Sequence, residues 1–380
     1  MISSTYSTKH KTISTTYLII FLLIIPKVNI INIPNYWQGI RVENFISLLM
    51  LGSILFNPKN YKLSDDYKFF LFCIFIFLSY LVGFISGISP NMIVFARIIE
   101  YMVFVIFFSN SKLDYKKIIK FLKLLIIINF VVSLLQYFEL VGFFSSRGYY
   151  APEYGLWKSA GIFSGSWESS FITSILYFII YHNDKKKINI YLALTLIILI
   201  LASTRGVIVP FFLSVIFLYL NRLKINLYHL IILTLVSFGF YFFVLKYLAL
   251  DIFVLFESFI RLVFFNQNMF NDFSATPNEY YSWAYRLKAW IADANSFNTN
   301  VYTNLFGTGY TNVYYESFII RILFANGIIG LLILFIFSLR IKSYMLFFLL
   351  LSGMSVDYVA SFKMFITLFL YFKCLKFLEK

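Results

Sequence analysis

Apolar residues in this chain come in runs of about twenty, and the runs recur along its whole length with short polar breaks between them. Such a run is long enough to cross a hydrocarbon layer ~30 Å thick as an α-helix. The pattern predicts spans at 15–33, 40–57, 68–89, 92–109, 117–138, 167–182, 188–203, 205–221, 225–248, 316–339, 343–357 and 362–377. Lysine and arginine concentrate in every second break: Lys9 and Lys11, Lys59 and Lys62, Lys112 to Lys117, Lys185 to Lys187, Arg222 and Lys224, Arg340 and Lys342, and Lys373 to Lys380. Basic loops stay on the cytoplasmic side of a membrane, so the alternation predicts about 12 transmembrane helices with both termini inside. The fold class expected is all-α and polytopic.

Two segments between spans are long, and both fall on the outer side: Glu139–Ser166 and, larger, Ala249–Tyr315. The chain thus reads as residues 1–248 with helices 1–9 and a shorter outer loop near 139–166, a large outer loop over 249–315, and residues 316–380 with helices 10–12. Long loops among short ones are the expected carriers of function. Within the large loop, Ile252–Phe265 is apolar except for Glu257 and Arg261, which stand four apart and can pair on one helical face. That predicts a helix lying in the interface, and Tyr280–Ala294 predicts a second short helix with an aromatic face.

Composition sharpens this picture in two ways. With 61% hydrophobic and only 13% charged residues, a soluble globular domain is excluded. The net charge of +15 resembles that of a nucleic-acid binder, but the basic residues lie in short loops between apolar runs, where they set orientation instead. No nucleic-acid partner is expected. The two cysteines, Cys73 and Cys374, both sit in apolar runs and make no disulfide framework.

Charges inside the spans are the informative exceptions. Glu43, Arg97, Glu100, Glu168, Arg205, Glu316 and Arg321 all fall in the outer halves of their spans. An ionisable group at the bilayer centre costs at least ~2.5–3.5 kcal/mol, so such residues mark a pathway or a site. Together they predict a polar cavity opening outward. Arg205, in Ser203-Thr204-Arg205-Gly206, has the planar fork for a phosphate, or else it snorkels or meets an internal carboxylate. Tyr281, Arg286, Lys288 and Trp290 combine ring faces for sugars with cations for pyrophosphate; an interfacial aromatic belt is the plainer reading. Glu316 follows the Gly307-Thr308-Gly309-Tyr310 turn and has the position of a general base; the plainer reading is a helix start with an acidic first turn, paired with Arg321 deeper in the same helix. Arg97 with Glu100 reads as a neutralising pair, and Arg41 with Glu43 as an interfacial ion pair. Glu168 stands at a span mouth in either role, and Arg147 and Lys158 in the shorter outer loop face an anionic substrate or lipid headgroups.

The absences narrow the chemistry. Of the three histidines, His10, His182 and His229, none is expected on the outer face. No nucleotide-binding glycine loop, Asp-x-Asp pair or metal-ligand cluster is present, so no cofactor and no metal are expected.

Three blocks together resemble the bacterial O-antigen polymerases of the Wzy type, within the O-antigen polymerase and ligase superfamily. They are Ser203-Thr204-Arg205-Gly206; Arg286-Leu287-Lys288-Ala289-Trp290 with Gly307-Thr308-Gly309-Tyr310; and Glu316 through Leu323 with Asn326-Gly327-Ile328-Ile329-Gly330. The resemblance implies a metal-independent glycosyltransferase of GT-C-like architecture in the bacterial inner membrane. It would polymerise undecaprenyl-pyrophosphate-linked oligosaccharide units at the periplasmic face, with a chain-length regulator protein as a candidate partner. On this implication Arg205 and Arg286 hold pyrophosphate, Arg321 assists, Glu316 orients or deprotonates the acceptor hydroxyl, and Arg147, Lys288, Trp290, Tyr281, Glu168 and Tyr310 contact substrate. The ligases of the superfamily usually carry a histidine where Tyr315-Glu316 stands; its absence favours a polymerase. A ligase and a flippase or transporter of lipid-linked sugar are the alternatives.

Overall fold

The computed structural model describes residues 15–32, 39–61, 67–89, 91–109, 111, 113–142, 144, 158–184, 189–220, 254, 257–258, 260–261, 269, 281–297, 300–309, 317–338, 341–358 and 361–378. The chain is predominantly helical, and helices occupy each apolar segment that these residues cover. They are α1 (Thr15–Ile24), α2 (Val42–Phe56), α3 (Tyr67–Ile85), α4 (Met92–Ser109), α5 (Tyr115–Tyr137), α6 (Ser166–Asn183), α7 (Ile190–Ala202) and α8 (Arg205–Leu220), followed by α9 (Tyr281–Phe297), α10 (Val301–Phe306), α11 (Phe318–Ser338), α12 (Ser343–Gly353) and α13 (Phe362–Leu378). The predicted segment 225–248 lies outside the described residues. Among those described, α4, α5 and Phe318–Ile336 of α11 are long and apolar enough to cross a membrane. Large apolar side chains stand exposed along helix faces, such as Leu48, Leu49, Leu55 and Phe56 on α2. Outward apolar faces of this kind belong to a protein solvated by lipid.

Not every expected span is continuous. The first was expected to run to residue 33, but α1 stops before Pro26, whose ring cannot continue a helix. The chain then forms a small antiparallel hairpin of β1 (Asn29–Ile31) and β2 (Ile40–Arg41), pairing Asn29 with Arg41 and Ile31 with Ile40. The segment expected at 343–357 is helical only to Gly353. The long helix α11 is broken at Gly327, which takes a left-handed φ of 68°.

The chain forms two compact units. The first comprises Met1–Cys73, Phe95–Phe211 and Tyr358–Lys380. Its centre is α6, packed against α5, α7 and α13. From Ser166 to Tyr181 every residue of α6 except Trp167 is buried. A helix buried on all sides needs small residues where neighbours approach closely, and Ser169, Ser170, Thr173 and Ser174 supply them. Rings lock α13 to α4: Tyr101 stacks on Phe365 with centroids 4.4 Å apart.

The second unit comprises Ile74–Val94 and Phe212–Asp357. Here α9 and α10 both pack on α11, around Leu287, Trp290, Ala294, Ile320 and Phe324. Glu257 and Arg261 are helical and form the expected i,i+4 ion pair at 2.6 Å, both half exposed.

Candidate functional site

In the first unit, the buried charges gather where α6 and α13 begin. Glu168 is the third residue of α6 and is fully buried. A carboxylate there is tolerable only if charge and hydrogen bonds compensate its lost hydration. It has four such contacts. Its Oε2 accepts from the Ser164 backbone N–H at 2.9 Å and from the Ser164 hydroxyl. Its Oε1 meets the Lys27 ammonium at 2.6 Å and accepts from the Ser361 hydroxyl. Ser361 in turn accepts from Lys27 at 2.8 Å. The helix-breaking Pro26 sets Lys27 just past α1, and Ser361 immediately precedes α13. One carboxylate thus joins three separate stretches of chain.

Lys363, the second residue of α13, is 2% exposed. Its Nζ lies 5.3 Å from the centroid of the Phe163 ring, and it has no hydrogen-bond acceptor among the described residues. Glu168, Lys27, Glu43 and Arg41 are its charged neighbours.

The same cluster extends to α2 and α4. Arg41, at the N-cap of α2, donates from Nε to Asn29 Oδ1 at 3.1 Å and pairs with Glu43 at 3.6 Å. That bears out the expected Arg41–Glu43 pair and places it inside, with both side chains buried. Asn44 accepts the Arg41 backbone N–H and donates to Glu100. Glu100 therefore has a hydrogen-bond donor on another helix, which the reading of an Arg97–Glu100 pair did not foresee. Arg97 and Glu168 both lie within Coulombic reach of Arg41.

A polar seam holds the chain that leads into α6. Asn129, Ser133 and Gln136 fall at i, i+4 and i+7 on α5, one helical face, and all three are buried. Gln136 Oε1 accepts from the N–H groups of Ala160 and Gly161, at 3.0 and 2.7 Å, and its Nε2 donates to the carbonyls of Gly161 and Gly142. Asn129 Oδ1 accepts from Ile162 N–H at 3.0 Å, while its Nδ2 donates to Ser169 and Thr173, each at 3.0 Å. Gly161 has a φ of 58°, and a Cβ there would fall on the Asn129 amide. Two amides thereby fix the loop that delivers Phe163, Ser164 and Glu168.

In the second unit the features are a backbone crossing and an ion pair. Thr308 and Gly309 donate their N–H groups to the carbonyls of Phe324 and Ala325, at 3.1 and 3.0 Å. Those carbonyls are orphaned because Gly327 breaks α11 just beyond them. A Cβ on Gly307 would overlap the Ala325 carbonyl, and one on Gly327 would overlap the Leu305 carbonyl. The Gly307-Thr308-Gly309 and Asn326-Gly327 motifs are therefore two halves of one close approach. Arg321, 1% exposed, donates from Nε to Asp357 Oδ2 at 2.7 Å, with NH2 on the same oxygen. Among the described residues the acid facing Arg321 is Asp357; the expected partner Glu316 lies outside them.

The other expected site residues are placed as follows. Trp290 is buried, its ring enclosed with Leu287, Ile320 and Phe324. Arg286 is partly buried and Lys288 exposed, two apart on α9. Arg205 is the first residue of α8 and Tyr281 the first of α9; their side chains lie outside what is described, as do Arg147, Tyr310 and Glu316 entirely. Lys27, Asp357 and Lys363 were missed as site residues. Their only signal was charge in or beside an apolar run.

The first-unit cluster offers buried cations, hydroxyls and two helix starts, a combination suited to an oxyanion. Among the described residues no group of three or more His, Cys, Asp and Glu stands together for a metal ion. Comparison with protein-family models, curated proteins and solved structures returns no match.

Proposed function

We propose that this membrane protein polymerises undecaprenyl-pyrophosphate-linked oligosaccharide units into O-antigen or a related surface polysaccharide, at the periplasmic face of the bacterial inner membrane. The observation that carries the reading is the gathering of Lys27, Arg41, Glu43 and Glu168 in one buried cluster, with part-buried Glu100 beside it, from span halves that the basic-loop pattern assigns to one side. The sequence blocks around Arg205, Arg286 and Glu316 supply the family.

On this reading the chain has about 12 spans in a GT-C-like arrangement with both termini cytoplasmic. A hydroxyl of the acceptor unit attacks the anomeric carbon of the donor glycan. Its proton passes to Glu316, the bond to pyrophosphate breaks, and the electron pair leaves on pyrophosphate, whose charge Arg205 and Arg286 stabilise. Arg321 already has an acid beside it in Asp357, so its part is to orient. Arg147, Lys288, Tyr281 and Tyr310 line the glycan path.

Lipopolysaccharide gels of a strain lacking this gene test the proposal. The deletion is expected to cap core with a single unit, wild type to restore the ladder, and normally expressed Arg205→Ala to fail. Bare core with polymer held on carrier lipid would make the protein a ligase. An unchanged ladder would refute both and leave a flippase or transporter.

A further inference from the structure

The charges of this cluster do not balance. Lys27, Arg41, Arg97 and Lys363 are four cations and Glu43, Glu100 and Glu168 three carboxylates, so four minus three leaves one positive charge among the described residues. The surplus is localised. Lys27 has Glu168 at 2.6 Å and Arg41 has Glu43 at 3.6 Å. Lys363 is as buried as they are, and its ammonium, with three N–H donors, has no acceptor among the described residues. A fold that only needed to fill this position would place an apolar residue there, because a buried ammonium without a hydrogen-bond acceptor is among the most costly features a protein can hold.

The surroundings say what belongs beside it. Lys363 and Ser361 stand at the start of α13, and Phe163, Ser164 and Glu168 at the start of α6. Helix starts present unpaired N–H groups and a positive end of the dipole, both favouring an anion. The Phe163 ring against the ammonium leaves the site apolar on one side and cationic on the other. An oxyanion attached to a hydrocarbon matches both.

We propose that Lys363 is the point-charge ligand of a lipid-borne phosphate group seated between the starts of α6 and α13, with Lys27 beside it. None of the sequence blocks that carry the family resemblance includes Lys363. The site itself stands on geometry and charge; only its assignment to a carrier-lipid pyrophosphate rests on the polymerase reading. An anionic phospholipid headgroup has the same chemistry.

Full-length wild type, Lys363→Met and Lys363→Arg in phosphatidylcholine nanodiscs distinguish these cases. Each is titrated with undecaprenyl pyrophosphate and, separately, with phosphatidylglycerol, with binding read by native mass spectrometry and folding by the thermal midpoint. Lys363→Met is expected to bind one probe about tenfold more weakly or worse, as for loss of one charge-assisted hydrogen bond. Its unfolding midpoint without lipid is expected at or above that of wild type, and Lys363→Arg should retain binding. Weakening toward undecaprenyl pyrophosphate identifies the carrier. Weakening confined to phosphatidylglycerol upholds the oxyanion site and detaches it from polymerisation. Equal binding of both probes by wild type and Lys363→Met overturns the site, and Lys363→Gln, measured the same way, decides if the methionine variant does not fold. Ladder formation by the wild-type gene tests polymerisation separately, so the two readings can fail independently.

Discussion

The two units meet one problem, polar groups in an apolar interior, by different means. In the first, side chains satisfy side chains and loop backbone: Glu168 takes Lys27, Ser361 and Ser164, and Gln136 takes Ala160 and Gly161. In the second, beside the buried Arg321–Asp357 pair, backbone satisfies backbone. The break at Gly327 frees two carbonyls of α11, and Thr308 and Gly309 fill them. The first solution tolerates change in shape but not in charge. The second admits no added atom, since glycines at Gly307 and Gly327 are what let the chains approach. Both obey the rule that irregular backbone within a membrane protein must have its hydrogen bonds supplied.

The comparison can be broken most forcefully at Gly307. Gly307→Val places a branched Cβ at a φ of 80°, against the Ala325 carbonyl. A loss on the order of 3–5 kcal/mol is expected, read as collapse of detergent-extracted folded yield and thermal midpoint. Gly52→Ala, at a helical position with open space, is the control and should hold or gain stability.

Next in size is Glu168→Gln, which leaves Lys27 buried without its carboxylate. Removing one partner of a buried pair typically costs ~3–5 kcal/mol, whereas apolar replacement of both is far milder. Glu168→Leu combined with Lys27→Met should recover roughly half of the single-variant loss or more; no recovery in a double-mutant cycle would show that the ion pair is not what Glu168 is there for. The same treatment of Arg321 and Asp357 asks whether the second unit also contains a charge-dependent element.

A smaller effect is expected from Gln136→Leu. It orphans the Ala160 and Gly161 N–H groups and should cost ~1–3 kcal/mol. Faster hydrogen exchange confined to residues near 160 would confirm that the amide pins the loop; unaltered exchange would refute it. Smallest is Glu257→Gln. The Glu257–Arg261 pair is half exposed, so its loss should move stability by less than ~0.5 kcal/mol, and a midpoint shift of several degrees would contradict that.

Helix positions were legible because a membrane demands long apolar runs, and α4 and α5 fall within two residues of the sequence reading. The breaks were less so. The expected first span ran through Pro26, where α1 has already ended, and nothing local announced the β1–β2 hairpin, whose register depends on two strands of three and two residues. Gly327 was visible as a motif and invisible as a kink, since its conformation is set by the arrival of Gly307. At the site, Glu168 was legible as a buried charge. Its partners were not, because Lys27 and Ser361 are 334 residues apart and no single-chain periodicity links them. Lys363 was hidden by its own run: one lysine at the head of an apolar helix reads as an ordinary end.

The contact between Lys27 and Ser361 also orders events during synthesis. The first unit is assembled from both ends of the chain, with most of the second unit encoded between its last two segments. When α6 leaves the ribosome, Glu168 can already meet Lys27, but Ser361 and Lys363 do not yet exist. The central helix of the first unit must therefore wait in the bilayer while the second unit is translated, and its polar end is closed only by the last helix described. A nascent chain arrested before α13 should consequently be inserted yet remain sensitive to quality-control proteases, with maturation arriving late and all at once.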